Sequence, residues 1–270
     1  MKTLYVTDLD GTLLGSDERT SGFTNQTVNG LVQKGMLFSY ATARSYVTAK
    51  KVTRGLDAHI PLIVYNGAFV IDQGTEEIML SNFFGSEARA MMEDLIRHDV
   101  YPIVYAFVDG VEKYSYIPER CTWGMKAFVD TRRGDRRENI VGDVQTLCQG
   151  EVFYLTCIDK AEKLLPLYEK YQDVCHAVYQ KDIYSGAQWL ELMPAAASKS
   201  NAIRQLKALL GCDRLVVFGD RKNDIDMFEL ADESYAVSNA VPELKAIATG
   251  VIASNDEDGV ARWLLEHAQV

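Results

Sequence analysis

Two carboxylates stand two residues apart at the end of an apolar run, where Leu4-Tyr5-Val6 leads into Asp8-Leu9-Asp10-Gly11-Thr12-Leu13. Parallel strands buried on both faces read as near-continuous apolar runs, and ligands of open α/β sheets bind beyond the carboxyl ends of such strands. The segment therefore predicts a buried strand that delivers two acids to the place where this kind of fold does chemistry. Acids so close together repel each other unless a cation or a shared proton intervenes. A strand ending in a common Asp-Gly turn explains the same six residues, so the decision rests on what other strand ends carry.

The alternation continues on both sides of the chain. A helix is predicted from Thr24 to Lys34, a strand over Met36–Ala41 followed by Thr42-Ala43-Arg44, a helix over Ser45–Arg54, and a strand over Pro61–Tyr65. Asn66-Gly67, followed by Phe69-Val70-Ile71, predicts a hairpin. In the last third, a helix over Ser198–Leu210 precedes the strand Arg214–Phe218, which stops at Gly219-Asp220. A helix over Asp224–Leu230, a strand over Tyr235–Val237 and a helix from Pro242 to Ala248 follow, the last with proline at a favourable first-turn position. Ser254 with Glu257 forms a capping-box pattern before a terminal helix. Strands alternating with helices imply a parallel sheet with right-handed crossovers.

The middle differs. Residues 84–186 hold nine of the fourteen tyrosines and four of the five cysteines, and the runs Tyr101–Phe107 and Val111–Ile117 alternate apolar with polar residues. That alternation predicts antiparallel strands with one wet face, covered on the other by helices over about 85–98 and 138–148. The expected organisation is a Rossmann-like parallel-sheet core, 1–83 and 187–270, with an inserted α/β domain over 84–186. Insertion into a loop closes at modest entropic cost.

Composition narrows the function. With 38 acidic against 28 basic residues the formal charge is −10, which argues against a nucleic-acid surface. No apolar run approaches the ~18–20 residues of a membrane span, and no charged-then-apolar leader precedes the first strand. Cys121, Cys148, Cys157, Cys175 and Cys212 are odd in number and form no CxxC pair, which suits free thiols in a reducing cytosol better than disulfides or zinc. A cytoplasmic protein is expected; the oligomeric state stays open.

Polar groups gather at several predicted strand ends: Asp8 and Asp10, Thr42, Lys199 at a helix opening, and Asp220 with Asn223 and Asp224. Singly, Thr42 reads as a helix cap, Lys199 as a first-turn lysine and Asp220–Asn223 as a turn. Together they resemble the haloacid dehalogenase-like superfamily, specifically its Cof-type, subclass IIB sugar-phosphate phosphatases. The resemblance rests on Asp8–Leu13, Ala41–Arg44, Lys199 and Gly219–Asp224, and extends to Val237-Ser238-Asn239-Ala240 and Asn255–Ala261. It covers about 1–82 and 188–270, and the long interval between Thr42 and Lys199 is where that subclass carries a large α/β cap. Ala43, Ser200 and Arg221 stand where the family more often has glycine; none of these removes a reactive side chain.

The resemblance implies a Mg²⁺-dependent phosphatase acting on a small-molecule phosphate ester, with a cap that closes over the core and excludes bulk water. Asp8 is the nucleophile, forming an aspartyl-phosphate. Asp10 protonates the leaving alcohol and then takes a proton from water. Asp8, the Asp10 carbonyl and Asp220 provide the hard oxygen ligands that suit Mg²⁺, and Asp224 orients metal-bound waters from behind. Thr42, Asn223, Lys199 and the main-chain N–H groups of Leu9 and Ala43 hold the phosphoryl oxygens, the metal and Lys199 together reversing the local field.

Weaker candidates surround these. His59, His98, His176 and His267 fit no ligand spacing and read as surface or packing residues; Trp123, Tyr116 and Arg120 read as packing before substrate contact; Arg132–Arg137 reads as a solvated loop. Asn66 and Glu191 are expected to flank the core site. A phosphomutase of the same superfamily starts from the same aspartyl-phosphate and stays open. A non-catalytic sugar-phosphate sensor would be expected to lose Asp10 or Lys199, and this chain keeps both.

Overall fold

A computed structural model describes residues 1–56, 60–181 and 186–270; His59 lies outside them. The chain divides into two compact units, Met1–Ser81 with Ser198–Val270 and Asn82–Ala197.

In chain order the first unit opens with β1 (Thr3–Thr7), α1 (Gly22–Gln33), β2 (Leu37–Ala41), α2 (Tyr46–Val52), β3 (Pro61–Val64), β4 (Phe69–Asp72) and β5 (Ile78–Ser81). The second unit holds α3 (Glu87–Arg97), β6 (Ile103–Val108), β7 (Val111–Tyr116), α4 (Trp123–Asp130), β8 (Glu138–Ile140), α5 (Val144–Leu147), β9 (Glu151–Ile158), α6 (Ala161–Tyr171), β10 (His176–Lys181) and β11 (Gln188–Met193). The first unit resumes with α7 (Lys199–Leu209), β12 (Arg214–Gly219), α8 (Ile225–Leu230), β13 (Glu233–Val237), α9 (Pro242–Ile247), β14 (Gly250–Ile252) and α10 (Gly259–His267).

The first sheet runs β14-β13-β12-β1-β2-β3-β4-β5. Its strands are parallel from β14 to β3, and β4 and β5 then pair antiparallel. The early crossovers leave β1 on one side and β12 lies on the other, so the order of connection reverses at β1. Beyond the carboxyl end of such a strand a crevice opens that no connection crosses, and Asp8 sits there. All five β1 residues are buried, which is why the strand reads as a continuous apolar run. The hairpin expected at Asn66-Gly67 joins β3 to β4, with Asn66 left-handed at φ 51°.

Helix starts follow their caps. Ser21 accepts from the N–H of Thr24 and Ser45 from that of Thr48, opening α1 and α2. Ser254 and Glu257 form the expected reciprocal box, on a short 3₁₀ turn before α10.

The second sheet runs β10-β11-β9-β6-β7-β8 and is antiparallel except for β7 with β8. Met91, Met92 and Leu95 of α3 and Leu164 and Leu167 of α6 pack with Val104, Leu155, Leu190 and Leu192 from one sheet face.

Three expectations fail in this unit. The helix expected over 138–148 is instead β8 followed by the single turn α5. Glu138–Ile140 pair with Tyr114–Tyr116, Gly142 interrupts, and Asp143 caps the turn through the N–H of Thr146. The inserted unit spans 82–197 rather than 84–186, because β11 pairs with both β9 and β10; the alternating Trp189-Leu-Glu-Leu-Met run completes this sheet instead of the core. The run Arg132–Arg137 is not wholly solvated: Arg137 is buried against Asp135 and Glu112.

Buried Asp94 of α3 ties two helices together, accepting from Tyr171 Oη at 2.5 Å and Lys170 Nζ at 2.6 Å on α6, and from Arg97 at 2.9 Å. Burial pushes its acidity the wrong way, but the hydrogen bonds from Lys170, Tyr171 and Arg97 outweigh it and hold the carboxyl well below the usual range. A depressed folded-state pKa gives stability that is present above the unfolded value near 4 and lost as pH falls below it. Asp94→Asn should therefore lower the melting temperature at pH 7, and the gap from wild type should shrink in melts taken between about pH 4 and pH 2.

Candidate active site

Asp8 follows β1 directly, its N–H donating to the Phe218 carbonyl of β12 at 2.9 Å. The end of β1 is thereby stitched to the end of β12, where Gly219 leads to Asp220. A short 3₁₀ turn, Lys222–Asp224, then returns Asp224 toward the strand end; its Oδ2 accepts from the N–H groups of Asp220 and Arg221 at 3.0 and 3.1 Å. Lys199 is the first residue of α7, capped by Ser198, and its stem is buried so that only the ammonium reaches the acids.

That ammonium is the hub. Lys199 Nζ lies 2.6 Å from Asp8 Oδ1 and 2.7 Å from Asp224 Oδ1. Oxygens of Asp8, Asp220 and Asp224 lie within 4.8 Å of one another, and all three residues are buried. Asp220 accepts from Thr12 Oγ1 at 3.2 Å, and the Arg221 guanidinium stands 3.3 Å away. Gly11, at φ +82°, lets the loop after β1 pass against Asp220: a Cβ there would fall 2.4 Å from Asp220 Oδ2.

Three buried acids face one buried ammonium, and the imbalance shows in their titration. Burial raises the Asp8 carboxyl well above its ordinary range; Lys199 opposes this, and Asp224, Asp220 and Asp10 add to it. Burial, then the charge of Asp224, pushes Asp220 up to about 7. Burial works against the Lys199 charge, yet Asp224 and Asp8 overcome it and hold the amine above its usual value. The cluster is short of positive charge, which is what a divalent cation supplies. Both Asp224 oxygens are engaged, one by Lys199 and one by two N–H groups, so Asp224 fits a supporting place better than a direct ligand, while the Asp8 and Asp220 carboxylates fit a hard, oxygen-seeking ion.

The remaining expected residues divide. Thr42 is buried just past β2, and its Oγ1 accepts from the N–H of Arg44 at 3.1 Å. Leu9 is buried, its carbonyl accepting from the N–H groups of Thr12, Leu13 and Leu14, and Ala43 is half-buried. Asn223 lies in the 3₁₀ turn beside Asp224, with a buried Oδ1 that accepts no hydrogen bond. Asp10 stands apart from the three-acid group: Arg44 clasps both its oxygens, Nε at 2.8 Å and Nη2 at 2.5 Å, and Nη2 also reaches Glu18 at 3.0 Å. Sequence reasoning noted Arg44 in its motif without giving it a role; its place right after the Thr42 strand end was the available signal.

Asn66 does adjoin the site's second strand end, donating its N–H to the Thr42 carbonyl at 2.9 Å. Glu191 belongs to β11 in the other unit, where Tyr154 Oη donates to it at 2.7 Å. Tyr116 donates to Glu138 at 2.6 Å, Arg120 stacks on Tyr101, and Trp123 is exposed. His98 and His267 bond backbone carbonyls of their own helices, and no histidine joins an acidic or thiol cluster of metal-site spacing among the described residues. The five cysteines are free thiols.

A family model described as haloacid dehalogenase-like hydrolase matches residues 5–264. The Bacillus subtilis protein named 5-amino-6-(5-phospho-D-ribitylamino)uracil phosphatase YitU is 27% identical over 276 residues, covering 98% of this chain and 97% of its own. A crystal structure from Thermotoga maritima matches with a TM-score of 0.77 at 26% identity, covering 100% of this chain and 98% of the other. The structure of a HAD subclass IIB sugar phosphatase matches at 0.75 and 21% identity, covering 98% of each chain, a likeness of fold. The chain belongs to the haloacid dehalogenase-like hydrolase family, and it is an enzyme of the phosphatase kind.

The raised Asp220 carboxyl sets a sign. A folded pKa above the unfolded one contributes stability that is complete below the unfolded value near 4 and is lost as pH rises through about 7. A divalent cation seated among these acids offsets that loss, so the rise in melting temperature between chelator and millimolar Mg²⁺ should be larger at pH 8 than at pH 5. Equal rises at both pH values would mean the cation binds elsewhere.

Proposed function

We propose that this phosphatase hydrolyses small phosphorylated metabolites, sugar or polyol phosphates above all, with Mg²⁺ and through an aspartyl-phosphate on Asp8. The observation that carries the reading is Lys199 Nζ bridging Asp8 and Asp224 at 2.6 and 2.7 Å beside Asp220. An acidic pocket repels phosphate unless cations are built into it, and here one is. The substrate class is supported by the relative named as a phosphatase of a phosphoribityl compound.

Asp8, Asp220 and the Asp10 carbonyl would hold Mg²⁺, which when bound supplies positive charge against the phosphoryl oxygens. An Asp8 oxygen attacks phosphorus and the bond to the ester oxygen breaks, the leaving alcohol taking its proton from Asp10. Water then attacks the aspartyl-phosphate and gives its proton to Asp10, and inorganic phosphate leaves with the Asp8 carboxylate restored. Lys199 keeps one Asp8 oxygen fixed throughout, so the attacking oxygen is the other one. Asp10 starts bonded to Arg44 on both oxygens; to act as the acid it frees one oxygen from Arg44, takes up a proton there from solvent, and passes that proton to the leaving oxygen. Thr42 and Asn223 would meet the phosphoryl oxygens.

Phosphate release from a panel of sugar, polyol and nucleoside monophosphates in Mg²⁺ tests this. Asp8→Asn should abolish turnover, and Lys199→Ala should cost about 10²–10³ in kcat, the scale for losing a stabilising donor. Asp10→Asn should cost about 10²–10⁴. Isomerised sugar phosphate without free phosphate would make the enzyme a mutase, and turnover by Asp8→Asn would remove the covalent route.

A further inference from the structure

The tail pattern at Asn239 and Asn255–Ala261 has no part in the chemistry above, yet it reaches the loop between β1 and α1. Asn239 Nδ2 donates to the Gly11 carbonyl at 2.8 Å, and its Oδ1 accepts from the N–H of Asn255 at 3.1 Å. Asn255 Nδ2 donates to the Leu14 carbonyl at 2.9 Å. Asp256 accepts from both the N–H and the Oγ of Ser16 at 2.7 Å, and Asp258 from Ser21 Oγ at 2.5 Å and Thr24 Oγ1 at 2.9 Å. The loop is thus fastened at four places by a segment more than two hundred residues away. The fastening turn is itself tight: Asp258 is left-handed at φ 58°, and a Cβ on Gly259 would fall 2.0 Å from the Ala253 carbonyl.

What this loop carries makes the fastening matter. Gly11 directly follows Asp10 and passes against Asp220, Thr12 donates to Asp220, and Glu18 takes the Arg44 that clasps Asp10. The Asn239 bond lands on the carbonyl of Gly11, the one residue between Asp10 and Thr12. Releasing it frees both residues to shift relative to Asp220, and a displacement of about 1 Å costs an enzyme about 10²-fold in rate. Thermal stability depends on it little, because the bonded groups lie near the surface and water can replace the lost partners.

We propose that Asn239 and Asn255 are positioning residues: through the Gly11 and Leu14 carbonyls they hold the β1–α1 loop so that Asp10 and Thr12 stand in register with Asp220. The role rests on the phosphatase reading, whereas the fastening does not.

The test compares wild type, Asn239→Ala, Asn255→Ala, the double variant and Asp232→Ala. Asp232 accepts from the N–H of Leu215 at 2.7 Å at the opposite end of β12, so its loss weakens the same unit away from the site. Hydrogen exchange over residues 11–21 should quicken by about 10-fold or more in both asparagine variants. Their kcat toward an aryl phosphate at saturating Mg²⁺ should fall by about 10-fold or more, with KM unchanged. The double variant should be little worse than the weaker single variant, since the two side chains form one chain of bonds. Asp232→Ala should lower the melting temperature and leave both loop exchange and kcat alone. Unchanged exchange overturns the fastening, whether or not the wild type turns over any ester. Faster exchange with undiminished kcat, or a kcat loss matched by Asp232→Ala, overturns the positioning role. A wild type inert toward every ester sinks the reading of the site and that role with it, while exchange still decides the fastening.

Discussion

One buried ammonium holds the site in being. Without Lys199, three carboxylates would share a buried strand end with no counter-charge against them, among the described residues, beyond the Arg221 guanidinium at its margin. Removing one member of a buried ionic group costs about 3–5 kcal/mol, because the charges left behind stay desolvated. Lys199 fits that position because it opens α7 directly after the Ser198 cap, so its side chain emerges toward the ends of β1 and β12 rather than toward solvent.

The ammonium does not balance the acids, and the residual charge is the functional part. Asp8 and Asp220 are both driven toward protonation by burial and by their neighbours. Such a cluster binds a divalent cation or a proton, and it binds phosphate only when enough positive charge is present. The cost of crowding these acids is confined to one strand end, which is a cluster that could hold a cation. Asp224 limits it further by spending its own oxygens on Lys199 and on the turn behind Asp220.

Geometry around the cluster comes from small pieces rather than from the sheet alone. Gly11 permits a close pass that any side chain would block. Arg44 takes Asp10 out of the three-acid group and ties it to Glu18. The tail asparagines reach across the sequence to the same loop. Parallel sheets give the positions of strand ends to within a residue or two; these side-chain ties decide which way each acid points.

Much of this was legible beforehand. The apolar run before Asp8 and the glycine that ends β12 marked buried strands and their ends, since period and turn chemistry are local properties of the chain. The hairpin at Asn66-Gly67 and the Ser254 box were local in the same sense. Where local signals were mixed, sequence reading failed. The segment 138–148 had helical content but was captured by the β7 edge, and the alternating residues of β11 were claimed by a sheet whose other strands lie elsewhere in the chain. The nearness of Lys199 to Asp8 followed from motif resemblance, whereas its second bond to Asp224, the clasp of Arg44 on Asp10 and the grip of Asn239 on Gly11 did not. Residue order settled which groups stand at the strand ends, because alternation and capping are written along the chain. Which of those groups touch was decided only by folding, because hydrogen bonds between residues two hundred positions apart depend on loop paths that no local pattern encodes.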